Sequence, residues 1–221
     1  AHQGIFDAFG HVSARHPTRG DRFLMARNRA PGLVEAGDIV ELAVEDGEAA
    51  APDAPRLVLE RWIHSELYKA RPDVMAVVHN HSPSVLPFAI ARGARLRPVC
   101  HMSGFLGGEV PLFEIREHAG EASDLLVRNP ALGAALAARL GAGTVVLMRG
   151  HGCTLVAPSL KVAVYRAIYT ELNAKLQQQA QALGSPEALT PGEAAATRAT
   201  NEGQVDRPWA LWRQAARQGG Q

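Results

Sequence analysis

Val74-Met-Ala-Val-Val-His79-Asn-His81 is the stretch on which the reading of this chain turns. The apolar run has the length and composition of a strand, and it closes on two histidines two positions apart. Successive strand residues point to opposite faces, so His79 and His81 project on the same side, close enough to share one ion. Neutral imidazole is the commonest side-chain ligand for zinc, iron, nickel and copper, and a catalytic site adds a third protein ligand while keeping one coordination position open. Residues from Ser82-Pro83 to Ile90 read as a helix start with proline near the first turn, ending at Arg92-Gly93. The pair therefore stands at the carboxyl end of a strand, where α/β folds usually bind ligands.

Downstream, Thr144-Val-Val-Leu-Met148 is a second buried strand and runs into Arg149-Gly150-His151-Gly152. The strand-then-histidine arrangement repeats, and flanking glycines let the backbone come close to a neighbour. His151 is the third ligand. Upstream, Glu60 to Arg71 is a helix with Ile63, Leu67 and Ala70 at helical spacing and Pro72 at its end. Glu60 falls in its first turn, where the helix dipole favours a carboxylate by roughly 0.3–1 kcal/mol. His64, one turn on, reads as a helix-face histidine.

At the amino end, Ile5 to Phe9 reads as the end of a helix stopped by Gly10. Strands at Gly10–Arg15 and Arg22–Ala26 form a hairpin through a Pro17/Gly20 turn, and Asp38–Val44 is a further strand. Between them, Arg27-Asn28-Arg29 places two guanidinium groups two residues apart, which suits a carboxylate or phosphate and equally suits an ordinary solvated loop. His101 is either a structural histidine or a pocket acid or base. Residues 121–140 read as one or two amphipathic helices and Ser159–Gly184 as a long one. The Ala- and Gln-rich remainder ends in a Trp209/Trp212 segment that packs on the body or on a neighbouring subunit.

At 221 residues and 47% hydrophobic content, the chain can fill the core of one α/β domain, taken as residues 1–221. Lys+Arg 23 against Asp+Glu 22, net +1 and without a basic block, argues against nucleic acid and for a small solute. Two cysteines, Cys100 and Cys153, make no disulfide framework. No apolar run is long enough to cross a bilayer and no secretory signal is visible, so a cytoplasmic location is expected.

Taken together, Gly10-His11-Val12-Ser13, Glu60, His79-Asn80-His81, Arg149-Gly150-His151-Gly152 and the helix near 160–178 resemble the class II aldolase/adducin family. The resemblance implies a three-layer α/β/α sandwich with a largely antiparallel central sheet. It implies one divalent ion (Zn, Mn or Fe(II)) on His79, His81 and His151, with Glu60 either joining the coordination or acting as acid/base. It also implies a homotetramer around a four-fold axis with sites at subunit contacts. Three departures narrow the branch. Sugar-phosphate aldolases of the family carry Ser-Ser before the glutamate, Gly-Asn after the first helix and a Thr-Gly loop after the second strand, all cradling phosphate. This chain has Val58-Leu59, Gly10-His11 and Arg27-Asn28-Arg29 there, and His101 where those aldolases offer a tyrosine proton donor. Apolar side chains donate no hydrogen bonds to a phosphoryl group. The pattern instead looks like the decarboxylases of hydroxylated aromatic dicarboxylates. The expectation is a metal-dependent, non-oxidative decarboxylase of aromatic compound catabolism. Glu60 or His101 would donate the proton, and His11, Ser13, Arg27, Asn28 and Arg29 would line the substrate. Aldolase or epimerase chemistry on an unphosphorylated hydroxy-keto acid or sugar is the alternative; an adducin-like interaction module or an oxygen-using iron enzyme stand further off.

Overall fold

The computed structural model describes residues 3–218. Its centre is one seven-stranded sheet: β1 His11–Arg15, β2 Arg22–Ala26, β3 Ile39–Ala43, β4 Ala76–Asn80, β5 Leu112–Phe113, β6 Val145–Met148 and β7 Gly152–Ala157. The strand order is β3-β2-β1-β4-β7-β6-β5, and only β5 with β6 is a parallel pair. The largely antiparallel sheet expected from the resemblance is present, with helices on both faces.

Alternation along the strands sorts side chains into two cores. Val77, Val146, Met148 and Val156 point to the layer that holds α1 (Arg61–Ala70) and α4 (Pro130–Leu140), together with Ile63, Leu67, Leu132 and Leu136. Ala76, Val78, Val145, Leu147 and Leu155 point to the opposite layer, where α2 (Leu86–Ile90) and α5 (Leu160–Leu183) supply Phe88, Ala89, Val162, Ala163 and Tyr165. Helices α4 and α5 are each capped by a side-chain oxygen: Asn129 accepts from the Leu132 amide, Ser159 from that of Val162. Beyond α5, α6 (Pro191–Glu202) and α7 (Asp206–Gln218) are full helices, so the carboxyl-terminal segment is more ordered than its composition suggests. Glu202 holds α6 to α5 through the buried guanidinium of Arg166 at 2.8 Å.

Several expectations are corrected. Residues 5–9 form bends rather than a helix: Gly4 and Gly10 both take positive φ, and the Asp7 carboxylate accepts from the Phe9 amide two residues on. The rest of that expected helix, residues 1 and 2, lies outside the described residues. The helix expected over 121–140 is confined to α4, with a single turn, α3 (Arg116–Ala119), before it; residues 120–129 are irregular. After His151 the chain re-enters the sheet as β7, a strand the sequence reading passed over. The helix expected from Ser82 is the five-residue α2.

Candidate metal centre

Register brings the site together. His11 on β1 lies directly opposite His79 on β4, and His79 lies opposite Thr154 on β7. All three side chains therefore face the α1 layer, as does Ser13, two residues after His11. Glu60 is the residue immediately before α1, and His64 and Tyr68 follow it on the same helix face at i+4 and i+8. His151 sits in the tight β6–β7 connection. There Gly150 takes φ +65°, and a Cβ on Gly152 would stand 2.2 Å from the Asn80 carbonyl oxygen, so only glycine allows β7 to close on β4.

The ligating atoms of His79, His81 and His151 lie within 4.8 Å of one another. His79 Nε2 and His81 Nε2 are 3.2 Å apart. Two of the three rings have their tautomer set from behind. The His151 Nδ1–H donates to the Leu125 carbonyl at 2.8 Å. Thr154 donates its hydroxyl to the Met148 sulfur, so its oxygen accepts from His79 Nδ1 at 3.2 Å. Both Nε2 lone pairs are thereby left to converge, the arrangement that outer hydrogen bonds give metal-binding imidazoles. Leu125 takes φ +68°, the one positive value at a non-glycine among the described residues, and this strained backbone is what aims its carbonyl at His151.

Glu60 closes the fourth side. Its Oε2 stands 3.5 Å from His151 Nε2, 3.7 Å from His79 Nε2 and 3.9 Å from His11 Nε2, while Oε1 accepts from the Val127 amide at 2.9 Å. Burial pushes its carboxyl upward, but the hydrogen bonds and charge offered by His11, His151 and His79 win, and Glu60 is held ionised, far below the usual carboxylate range. Burial lowers His79 and His81, keeping them neutral. His151 is also opposed by burial, yet the Glu60 carboxylate raises it above its ordinary value. Three neutral-capable imidazoles with one fixed carboxylate form a donor set that fits a divalent ion such as zinc, manganese or iron(II).

A cavity of about 440 Å³ opens onto Glu60, His81 and His151. His11, Asn28, Arg29 and Arg56 give it polar groups, and Phe9, Val58, Leu59 and Leu126 give it apolar walls. Val58 and Leu59 thus face the space where a phosphate cradle was expected to be missing. Other expectations are corrected. Arg27 and Arg29 both bind the buried Asp38 carboxylate, at 2.6 and 2.7 Å; Arg29 still lines this cavity, while Arg27 lines an adjoining hollow instead. The Ser13 hydroxyl points away from the cavity to His64 and Tyr68, at 2.6 and 2.8 Å. His101 is the exposed first residue of an otherwise largely buried 3-10 turn, His101–Leu106, its carbonyl accepting from Asn201, and it does not line the cavity of its own chain. The sequence reading missed Arg56, which lies in a featureless loop, and passed over His64, whose spacing from Glu60 was the available signal.

Comparison with known proteins gives the same family on independent grounds. A profile described as "Class II Aldolase and Adducin N-terminal domain" matches residues 1–178. The chain is 42% identical to decarboxylase tropJ of Talaromyces stipitatus over 98% of its own length and 89% of that protein. It is 35% identical to 3,4-dihydroxyphthalate decarboxylase of Arthrobacter keyseri, over 83% of this chain and 75% of that one. In structure it is similar to an aldolase II superfamily protein from Pseudomonas syringae, with TM-score 0.77 and 21% identity over 99% of this chain and 87% of the other, a likeness of fold.

Proposed function

Because the chain belongs to the class II aldolase and adducin family, we propose that it is a metal-dependent, non-oxidative decarboxylase of a hydroxylated aromatic or heteroaromatic carboxylate, with residues 1–221 acting as one unit. The observation that carries this reading is the convergence of His79, His81, His151 and Glu60 at the floor of a cavity with apolar walls and guanidinium groups at its rim. An aromatic ring suits Phe9, Leu59 and Leu126; its carboxylates suit Arg29 and Arg56. The relatives with dihydroxyphthalate decarboxylase in their names favour a dicarboxylate.

A divalent ion bound by the three imidazoles would supply Lewis acidity, drawing electron density from a ring hydroxyl and its neighbouring carboxylate. The chain's own residues do the rest. Glu60, ionised at rest, accepts the proton of the ring hydroxyl and returns it to the ring carbon that carries the departing carboxylate. The carbon–carboxylate bond then breaks, its electron pair returns to the ring, and carbon dioxide leaves. Arg29 and Arg56 orient the carboxylate that remains. His101, remote from its own cavity, reaches such a site only from a neighbouring copy, as a homotetramer with sites at subunit contacts would arrange.

The test is incubation of the zinc-, manganese- or iron(II)-loaded protein with 3,4-dihydroxyphthalate under nitrogen. Release of one carbon dioxide per substrate is expected without added oxygen. Pyruvate or an aldehyde from a hydroxy-keto acid, with no carbon dioxide from the aromatic acid, would move the assignment to aldolase.

A further inference from the structure

His64 takes no part in the chemistry just described, yet it is wholly buried between two polar partners. Its Nε2 is 2.6 Å from His11 Nδ1 and its Nδ1 is 2.6 Å from Ser13 Oγ. Ser13 Oγ is in turn 2.8 Å from the Tyr68 hydroxyl. Four groups are joined by three hydrogen bonds, and each bond needs one proton. His11 stands at the open end, with Nε2 toward Glu60 and its ring 4.8 Å from that of His79, centroid to centroid. Distance alone would admit His11 as a metal ligand, since its ligating atom groups with those of Glu60 and His79.

We propose that Tyr68, Ser13 and His64 form a one-way hydrogen-bond chain that fixes His11 as the Nε2–H tautomer, making it a hydrogen-bond donor to an anionic oxygen of the substrate and not a fourth metal ligand. The order of the protons follows from the ends. Among the described residues the Tyr68 hydroxyl has Ser13 Oγ as its single partner. If Tyr68 donates to Ser13, Ser13 donates to His64 Nδ1 and His64 Nε2–H donates to His11 Nδ1, every proton is used. The remaining His11 proton is then on Nε2, facing the Glu60 carboxylate and the cavity. Reversing the chain strands the phenolic proton in the core and turns a bare His11 lone pair toward that carboxylate. An unsatisfied buried donor by itself favours the first order by about tenfold.

The same ends show that the chain orients and does not conduct. Were His11 to pass its Nε2 proton on and draw another through His64 and Ser13, the charge would come to rest on a buried tyrosinate. Burial pushes the Tyr68 phenol well above its ordinary value, and it pushes His64 down so that its ring carries one proton. Tyr68, Ser13 and His64 are therefore positioning residues, and His11 is the group that touches substrate. The choice of an aromatic carboxylate as that substrate rests on the decarboxylase reading; the tautomer does not.

The experiment is nitrogen-15 NMR of the histidine-labelled, zinc-loaded protein. His11 Nε2 is expected to be pyrrole-like with an attached proton and Nδ1 pyridine-like; the reverse, or a His11 nitrogen shifted by zinc, overturns the proposal. Adding phthalate, which lacks the ring hydroxyl, should move the His11 Nε2 proton downfield, and an unmoved proton under saturating phthalate removes the donor role. Ser13→Ala should give a mixture of His11 tautomers and Ser13→Thr should restore the single one. An unchanged tautomer in a folded Ser13→Ala protein overturns the chain, and the wild-type spectrum decides the matter if that variant does not fold. The two readings fail separately. Absence of carbon dioxide release with the proton on Nε2 removes the decarboxylase and supports the tautomer; an active decarboxylase with the proton on Nδ1 does the opposite.

Discussion

Glu60→Gln changes almost nothing in shape and two things in chemistry: it removes a charge and replaces one acceptor oxygen by a donor. In the wild type both oxygens are used, Oε1 by the Val127 amide at 2.9 Å and Oε2 by the imidazole cluster at 3.5–3.9 Å. An amide has a single oxygen. It keeps the Val127 bond by turning its NH₂ toward the histidines, because the other orientation sets two N–H groups against each other in a buried place. A unit charge about 4 Å from a cation contributes about 4 kcal/mol at an effective dielectric constant near 20, so metal affinity should fall, by up to about 10³. With three imidazoles retained, the site still fills at saturating metal. Turnover should nevertheless drop by about 10²–10⁴ under those conditions, because the amide neither accepts the hydroxyl proton nor returns it. The assay is anaerobic carbon dioxide release from 3,4-dihydroxyphthalate, with metal content measured on the same sample. Wild-type turnover by a fully metallated Glu60→Gln protein refutes the assignment of the proton to this carboxylate.

Other expectations follow from the same geometry. His79→Ala should abolish metal retention after dialysis, read by elemental analysis; a variant that keeps a full equivalent of metal contradicts the site. Because Glu60 raises His151, a proton competes with the ion there: affinity should weaken as pH falls through that raised value and level off above it, seen by titration across pH. His64 and His79 are held neutral in the fold, so below about pH 6.5 the unfolded chain gains protons that the fold refuses, and stability should fall by up to about 2.7 kcal/mol per pH unit for the two, read from urea unfolding of the metal-free protein. Arg29→Ala should raise KM by about tenfold with kcat changed little, the scale of one lost charge-assisted hydrogen bond; an unchanged KM removes Arg29 from binding. Glu202→Ala leaves the buried Arg166 unpaired and should cost about 3–5 kcal/mol of unfolding free energy with the metal site intact.

The meeting of His79, His81 and His151 was legible because each follows an unbroken apolar strand: period-two alternation puts His79 and His81 on one face, and the glycines around His151 mark the turn that brings it to them. Glu60 was legible from its place at a helix start. The placement of His11 and Ser13 was half legible: the motif marked them, but only the β1–β4 register shows that His11 joins the histidine–Glu60 cluster while the Ser13 hydroxyl turns inward to α1. His64 needed a second step, since a histidine at i+4 from Glu60 looks like any helix-face residue until the strand that covers it is known. Arg27 misled for a physical reason, which also ties down part of Arg29. The buried Asp38 that binds both is 11 and 9 residues downstream of them, and a pairing made by loop closure leaves no periodic trace.

The segment at 120–129 carries the strongest lesson, because the expectation of helix there was wrong where the site depends on its being wrong. In a continuous helix the Val127 amide would donate to the carbonyl four residues back, and the Leu125 carbonyl would accept from four residues on. Neither would be free. In the fold, Asn129 caps α4 and stops it from extending backward, Leu125 takes a left-handed backbone, and the two freed groups go to Glu60 and His151 respectively. One short irregular stretch thus holds both the carboxylate that would move the proton and the imidazole that stands 3.5 Å from it. Leu125 and Leu126 gave a helical signal because apolar side chains need cover, not because they must be helical: both are half-buried in the irregular stretch, beside the buried Val127. It follows that lengthening α4 toward its amino end, for example by replacing Leu125-Leu126-Val127 with three alanines, should raise helix content in far-ultraviolet circular dichroism while weakening metal retention. Retention of metal at wild-type affinity in such a helical variant would show that the backbone of this stretch is not what orients the site.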